Sequence, residues 1–241
     1  MRRIVKKFRQ WLRFSRLSSF IYAMRECKTY SQFGEDAVLR GFLLQEWRDP
    51  SYRGFWVDIG AHHPVRLSNT KMFSDHGWRG LNVDAMAESI HLFEKQRRRD
   101  INVNVGVGGQ EGVLDFCLEE DSGCNSFIQD APGGSGRAKT RQVKVVTLKR
   151  LLDTYLPDGQ EIDFLDVDVE GMDLEVLKSN DWRKYRPKFI LVEIFTNGKN
   201  ADIGSSPVVQ YLQSQGYEFA GQCYYTTLFR RMVDRGAYEK S

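Results

Sequence analysis

The 241-residue sequence has no apolar run near the roughly 18 residues that a membrane-spanning helix needs. It also has no Gly-X-Y, heptad or longer repeat, which excludes collagen, coiled coils and tandem-repeat folds. Its four cysteines form no C-x-x-C pair and no metal-ligand spacing, so they are predicted to be reduced thiols. No signal-peptide pattern opens the chain, and a cytoplasmic protein is therefore expected.

An excess of positive charge lies at the start of the chain. Residues 1–30 contain nine Lys or Arg and one acid, whereas the remainder holds 26 basic and 31 acidic residues. The net negative charge of residues 31–241 argues against nucleic-acid binding by this part of the chain, because affinity for phosphate depends on clustered cations. Within residues 1–20, apolar side chains recur at spacings near three and four, and basic residues fill most of the other positions. This pattern predicts an amphipathic helix that either contacts anionic lipid or packs on its own domain. We expect a basic N-terminal segment, 1–30, at the inner face of the membrane, and one domain over 31–241.

Short β-rich runs alternate with helical stretches from about residue 55 onward. Strands are predicted at 55–59, 80–84, 101–107, 162–169 and 189–194, and helices at 69–76, 88–99, 148–156, 173–180 and 207–215. Apolar strands separated by helices predict an α/β Rossmann-like fold, with a mostly parallel central sheet and helices on both faces. Extra strands are predicted at 113–119 and 142–146 and, as an antiparallel edge pair, within 218–229. The polar segment 121–139 is predicted to form a loop or lid.

Polar residues follow the first two predicted strands, at the sheet edge where ligands of such folds bind. Gly60, just after the first strand, permits a tight turn and a close backbone approach to a ligand. Asp84 ends the second strand, at the position where an acid commonly hydrogen-bonds a ribose. The turn lacks the G-x-G-x-x-G of dinucleotide sites, and Pro64 has no N–H to donate to a phosphate. These residues favour S-adenosylmethionine (SAM) over NAD, because SAM has the adenosine without the phosphates.

Several sequence blocks together resemble FkbM-type SAM-dependent methyltransferases. The blocks are SQFGEDAVL, FWVDIGAHHPVRLSNT, GWRGLNVDA, VTLKRLLD, FLDVDVEGMDLEVLKS and FILVEI, in the family's order over roughly residues 30–215. The resemblance implies a class I Rossmann-like methyltransferase fold and transfer of a methyl group from SAM, usually to a hydroxyl. It implies a small-molecule or glycan acceptor, foremost a sugar in glycan or polysaccharide biosynthesis.

The resemblance also assigns cofactor-binding positions. They fall on Asp58, Gly60, Ala61, Ser68, Asn69, Thr70, Asp84, Asn104 and Gly106. The first three would line the methionine half of SAM, and the S-N-T run would bind its carboxylate at a helix start, although an ordinary N-cap explains Ser68 and Asn69 equally well. Asp84 would take the ribose hydroxyls, and the last two residues would border the adenine.

Methyl transfer to an alcohol needs a general base or a metal, because a hydroxyl is a poor nucleophile. The candidate bases are His62, His63, Asp168 and Glu193. Histidine has the more suitable ordinary pKa, whereas burial must raise that of a carboxylate. Alternatively, Asp168, Glu170 and Glu193 would hold Mg²⁺ or Mn²⁺, since hard cations prefer carboxylate oxygens. Asp166 stands where many relatives carry lysine, which predicts an added negative charge near the site.

Three further points bear on the site. Ser31 suits a helix N-cap before the acids of SQFGED, but this explanation leaves Gln32 without a role. Tyr224 and Tyr225, with Trp78 and Trp182, suggest a sugar platform, yet core packing is the commoner explanation for aromatics this far apart, and no role is assigned to them. The alternative function is a non-catalytic, membrane-associated Rossmann-like scaffold of the same family. The polar residues at the strand ends favour an enzyme.

Overall fold

A computed structural model of the chain describes residues 28–118, 126–127, 139–194 and 203–232. The helices are α1 (Glu35–Phe42), α2 (Leu44–Arg48), α3 (Lys71–Asp75), α4 (Ala87–Gln96), α5 (Leu148–Tyr155), α6 (Asp173–Lys178) and α7 (Pro207–Ser214), with a 3-10 turn at Ile203–Ser205. The strands are β1 (Phe55–Ile59), β2 (Arg79–Asp84), β3 (Ile101–Asn104), β4 (Gly106–Val107), β5 (Gly112–Leu118), β6 (Ser126–Phe127), β7 (Lys139–Val146), β8 (Phe164–Val167), β9 (Phe189–Glu193), β10 (Tyr217–Cys223) and β11 (Thr226–Arg231).

A seven-stranded sheet forms the centre of the fold, in the order β10–β11–β9–β8–β1–β2–β3. The strands β9, β8, β1, β2 and β3 are parallel, β11 is antiparallel to β9, and β10 is antiparallel to β11. The strand order reverses between β1 and β8, and the carboxyl ends there open the crevice in which such folds bind ligands. The mostly parallel α/β architecture and the antiparallel edge pair are confirmed.

Both faces of the sheet are covered by helices. Trp56 and Phe164 pack on one face with side chains of α1 and α3, in a cluster that also contains Leu39 and Phe73. Val57, next in β1, belongs to the opposite cluster, which includes side chains of α5, α6 and α7. Every residue of β1 is buried, because a strand covered on both sides exposes neither set of alternating side chains.

The predicted strand 101–107 is two strands in two sheets. β3 completes the central sheet, whereas β4 joins a four-stranded sheet of order β4–β7–β5–β6. The chain changes sheets at Val105, whose N–H donates to the Asp84 carbonyl at 3.1 Å. The second sheet also takes up the extra strands predicted near 113–119 and 142–146. Most of the predicted lid 121–139 lies outside the described residues.

The N-cap prediction for Ser31 is wrong. Helix α1 begins after Gly34, which occupies the N-cap position with a φ of 91°. The Ser31 hydroxyl instead donates to the carboxylate of Asp36 at 2.8 Å, and the Tyr30 N–H donates to the same carboxylate. Asp36 is fully buried, so it fixes the turn that precedes the helix.

The predicted basic segment 1–30 lies almost wholly outside the described residues, so its helix and its boundary at residue 30 stay predictions. Within the described ranges, no helix combines the length and apolar character needed to cross a membrane.

Candidate active site

A cavity of about 360 Å³ opens at the carboxyl ends of β1, β2, β8 and β9. Its volume falls within the roughly 300–1,000 Å³ typical of small-molecule sites. Its lining includes six carboxylates: Asp58, Asp84, Asp166, Asp168, Glu170 and Glu193. Among the residues that the structure describes, no Lys or Arg side chain lines it. The charge balance therefore favours a cationic ligand over an anionic one.

Gly60 forms the turn at the centre of the cavity. Its φ is 84°, and its N–H and that of Ala61 both donate to the Val83 carbonyl, at 2.9 and 3.0 Å. A Cβ atom at Gly60 would lie 1.8 Å from the carbonyl oxygen of Asp168. The close approach of this turn to the end of β8 requires glycine, whereas the predicted approach to a ligand stays a prediction.

Asp84 is held by backbone amides on both sides of the cavity. One carboxylate oxygen accepts from the His62 N–H and the other from the Met86 N–H, each at 2.7 Å. Burial raises the pKa of Asp84, whereas these two hydrogen bonds oppose that rise. The carboxylate is only 8% exposed and lines the cavity, so its position is fixed by the two turns that flank it.

Arg97 lies beneath the S-N-T run and was not found by sequence reasoning. Its guanidinium is buried and donates to the Thr70 hydroxyl at 2.7 Å, to the Ser68 hydroxyl at 3.0 Å and to the Pro64 carbonyl. The Thr70 hydroxyl in turn donates to Asp58 at 3.1 Å. Ser68 lines the cavity but uses its hydroxyl here, and Thr70 does not line the cavity. Arg97 therefore acts through these hydroxyls to position Asp58.

Asn69, the middle residue of that run, faces the opposite way. It lines the cavity and donates its side-chain N–H to Asp166 at 2.8 Å. Asp166 pairs with Asp58 across β1 and β8, and both side chains are about 5% exposed. Burial raises the pKa of Asp58 to about 6, and burial together with the Asp58 charge raises that of Asp166 well above its ordinary range. Asp166 therefore stays protonated to higher pH than an ordinary aspartate, and the negative charge predicted for it is reduced.

Two of the candidate bases, Glu193 and Asp168, lie at the ends of the paired strands β9 and β8, and both line the cavity. Burial raises the pKa of Glu193 to about 7, with the charges of Glu170, Asp173 and Glu35 adding to the rise. Burial and the Glu193 charge raise the pKa of Asp168 well above its ordinary range. A half-buried carboxylate with a pKa near neutrality meets the ordinary requirement for a general base.

The two candidate histidines are placed differently. His62 lines the cavity and has a φ of 50°, which is uncommon for a residue other than glycine. His63 does not line the cavity, and its Nδ1 accepts from the Val65 and Arg66 N–H groups, both at 3.0 Å. Burial and the nearby Arg66 charge lower the pKa of His63. Its ring therefore holds the turn over residues 63–66, away from the cavity lining.

The far wall of the cavity is largely apolar. Gly106 lies there with Val105, Val107 and Phe116, the last of which comes from the second sheet. Asn104, predicted to border the adenine, does not line the cavity. Its side chain donates to the Asp84 and Ala85 carbonyls and so braces the chain after β2.

The metal hypothesis finds no geometric support. Asp168, Glu170 and Glu193 all line the cavity, but across the described ranges no three His, Cys, Asp or Glu side chains are arranged to hold an ion. Burial first, and then the charge of Glu170 among others, raises the pKa values of Asp168 and Glu193.

The strand order and the cavity at its reversal define an α/β protein of the Rossmann-like class. The family model of the methyltransferase FkbM domain matches residues 58–219, so the chain belongs to the FkbM methyltransferases, whose methyl donor in general is SAM. The crystal structure of methyltransferase FkbM from Methylobacillus flagellatus KT is similar, with 13% identity and a TM-score of 0.43. The match covers 74% of this chain and 43% of that one, so this chain spans less than half its length. No curated protein matches the chain significantly.

Proposed function

We propose that the protein is a SAM-dependent O-methyltransferase that methylates a sugar hydroxyl in glycan or polysaccharide synthesis. The observation that carries the SAM assignment is the acid-lined cavity at the reversal of strand order. SAM has a sulfonium and an ammonium group, one carboxylate and no phosphates, so its net positive charge is opposite in sign to this acidic lining. When bound, it supplies a methyl group activated by the positive sulfur.

Different residues around the cavity are assigned to the ribose, the methionine part and the adenine of SAM. Asp84 accepts hydrogen bonds from the ribose hydroxyls through lone pairs that its two backbone donors leave available. The turn at Gly60 and Ala61, with Asp58 beneath it, lies beside the methionine half. Val105, Val107 and Phe116 offer an apolar wall to the adenine.

Glu193 is the base that this arrangement favours. It ends β9 at the cavity, and its pKa of about 7 lets it take a hydroxyl proton near neutral pH. Asp168 lines the same cavity and burial raises its pKa as well, so it stays a further candidate. His62 lines the same cavity and remains the second candidate.

Titration calorimetry tests the SAM assignment. We expect wild-type protein to bind SAM and S-adenosylhomocysteine, and Asp84→Ala to weaken both by roughly 100-fold, since two or more charge-assisted hydrogen bonds are lost. Asp49→Ala, at an exposed aspartate near α2, is the matched control and should bind as wild type does. Wild-type protein with no affinity for either compound would overturn the proposed function.

Residues 1–20 carry a second proposal, which rests on sequence alone. We propose that this basic, aromatic segment contacts anionic lipid and keeps the enzyme at the inner membrane face, near a lipid-linked acceptor. Vesicle sedimentation should show binding to anionic vesicles that falls steeply as salt rises, and no binding to neutral vesicles. A chain that lacks residues 1–20 but sediments equally well would contradict this role.

A further inference from the structure

Three aromatic rings meet at the mouth of the cavity. The ring centroids of Phe33 and Tyr224 are 4.5 Å apart, those of Tyr224 and Tyr225 4.2 Å, and those of Phe33 and Tyr225 6.3 Å. Tyr225 lines the cavity, whereas Tyr224 is 64% exposed and Phe33 is 44% exposed. Core packing, the commoner expectation for these tyrosines, therefore does not account for them. We call Phe33, Tyr224 and Tyr225 the aromatic ledge.

A buried carboxylate joins the two chain segments that form the aromatic ledge. Glu35 accepts from the Phe33 N–H at 2.8 Å and from the Thr226 hydroxyl at 3.3 Å, which ties the turn before α1 to the start of β11. Thr226 pairs with Glu193 in the sheet, and the Ile194 N–H donates to the Tyr225 carbonyl at 2.9 Å. The ledge is thus fixed beside the candidate base.

Strained backbone conformations cluster around the same opening. In the described part of the chain, positive φ values at residues other than glycine occur at His62, Leu67, Glu170 and Tyr224, between 50° and 53°. The first three line the cavity, and the fourth belongs to the aromatic ledge. Such conformations persist where the surrounding structure imposes them, and they concentrate at functional sites. At Tyr224 the two-residue turn between β10 and β11 accounts for the positive φ, and this turn leaves the ring exposed.

We propose that the aromatic ledge is the acceptor site, where the C–H face of an uncharged sugar ring lies on Tyr224 and Phe33 and one hydroxyl points to Glu193. This inference rests on the proposed function. The rings contact one another too closely to admit a guest between them, so the ledge is a surface for stacking and not a cage for an ammonium group. Gln32, next to Phe33, lines the cavity and offers an uncharged amide to sugar hydroxyls.

The charge of the cavity further limits the class of sugar that it can accept. Tyr225 lines the same cavity as the acidic side chains, and those that are ionised would repel any sugar bearing a carboxylate or phosphate. An uncharged sugar meets no such repulsion. Repulsion disfavours an anionic sugar, and the closely packed rings form no cage for an ammonium group, so the acceptor class assigned is a neutral glycoside.

Saturation-transfer NMR on the protein saturated with S-adenosylhomocysteine tests this site. The probes are matched methyl glycosides of glucose, protonated glucosamine and glucuronic acid. We expect the glucoside to bind best and Tyr224→Gly to weaken it roughly tenfold, the value of about one aromatic contact. Glycine accepts the φ of 53° but loses the ring contacts with Phe33 and Tyr225, so the melting temperature should fall slightly while the S-adenosylhomocysteine affinity stays unchanged. Tyr155→Ala, at an exposed tyrosine ending α5, should change neither.

The outcomes separate the two proposals. Normal S-adenosylhomocysteine binding with no glycoside contact, or with contact that Tyr224→Gly leaves unchanged, would overturn the acceptor site alone. Preference for the glucuronide or the ammonium sugar would overturn the neutral class. Failure of the wild-type protein to bind S-adenosylhomocysteine would instead remove the proposed function on which the site depends.

Discussion

Replacing Gly60 by alanine is expected to abolish SAM binding and to lower the free energy of unfolding by about 3–5 kcal/mol. Two effects combine in this value. The new Cβ would lie 1.8 Å from the Asp168 carbonyl oxygen, and a φ of 84° is strained for any residue with a side chain. Separating β1 from β8 to relieve the contact would also displace the carboxylates that both strands carry.

A second glycine separates these two effects. Gly77 has a φ of 95°, but a Cβ there would meet no atom within 4 Å. Gly77→Ala should therefore cost only the backbone strain, about 1–2 kcal/mol, and leave SAM binding intact. Denaturant unfolding and calorimetry on both variants measure the difference. If Gly60→Ala proved as mild as Gly77→Ala, the close approach of β1 and β8 would not be a fixed feature of the site.

The sheet is predictable from sequence because fully buried parallel strands are continuous apolar runs. Residues 55–59 and 189–194 are of this kind, and they form β1 and β9 almost to the residue. The split of 101–107 is not predictable. Valines run through the whole segment, and the change of sheet at Val105 depends on a hydrogen bond to Asp84, far away in sequence.

The site is predictable in position but not in side-chain direction. The spacing of Asp84 after Gly60 correctly places both at one cavity. The same reasoning cannot show that the Ser68 and Thr70 hydroxyls meet Arg97, because that guanidinium arrives from the far end of α4. Phe116 is missed for a related reason, since it belongs to a second sheet.

Charge counted from sequence misleads where residues are buried together. Asp166 counts as an added negative charge, but packing against Asp58 and away from water favours its neutral form.

Gln32 has no role that its sequence neighbours explain, and yet it belongs to the site. The absence of a local role for it is itself the signal, because its side chain lines a cavity formed by strands distant in the chain.

Glu193→Gln is expected to lower kcat by about 100- to 10,000-fold, the usual contribution of a general base, with SAM affinity little changed. The assay measures S-adenosylhomocysteine released with a neutral glycoside as acceptor. Because the base must be ionised, wild-type kcat should rise with pH toward a plateau above about 7. The residual activity of the variant should lack that rise. A variant that kept the wild-type pH profile would transfer the role to His62 or Asp168.

Glu193→Gln is also expected to change how the stability of the protein depends on pH, and this effect can be measured without an acceptor. A carboxyl group whose pKa is raised by folding binds more protons in the folded state, so its stabilising contribution falls as pH rises from its ordinary range. For Glu193 that window runs from its ordinary value, 4.5, to about 7. Between these limits the melting temperature of the ligand-free protein should fall, and it should fall less in Glu193→Gln. Glu94→Gln, at an exposed glutamate on α4, should show the same fall in melting temperature as wild type. An exposed glutamate is not buried among other acids, so its replacement removes no group of raised pKa.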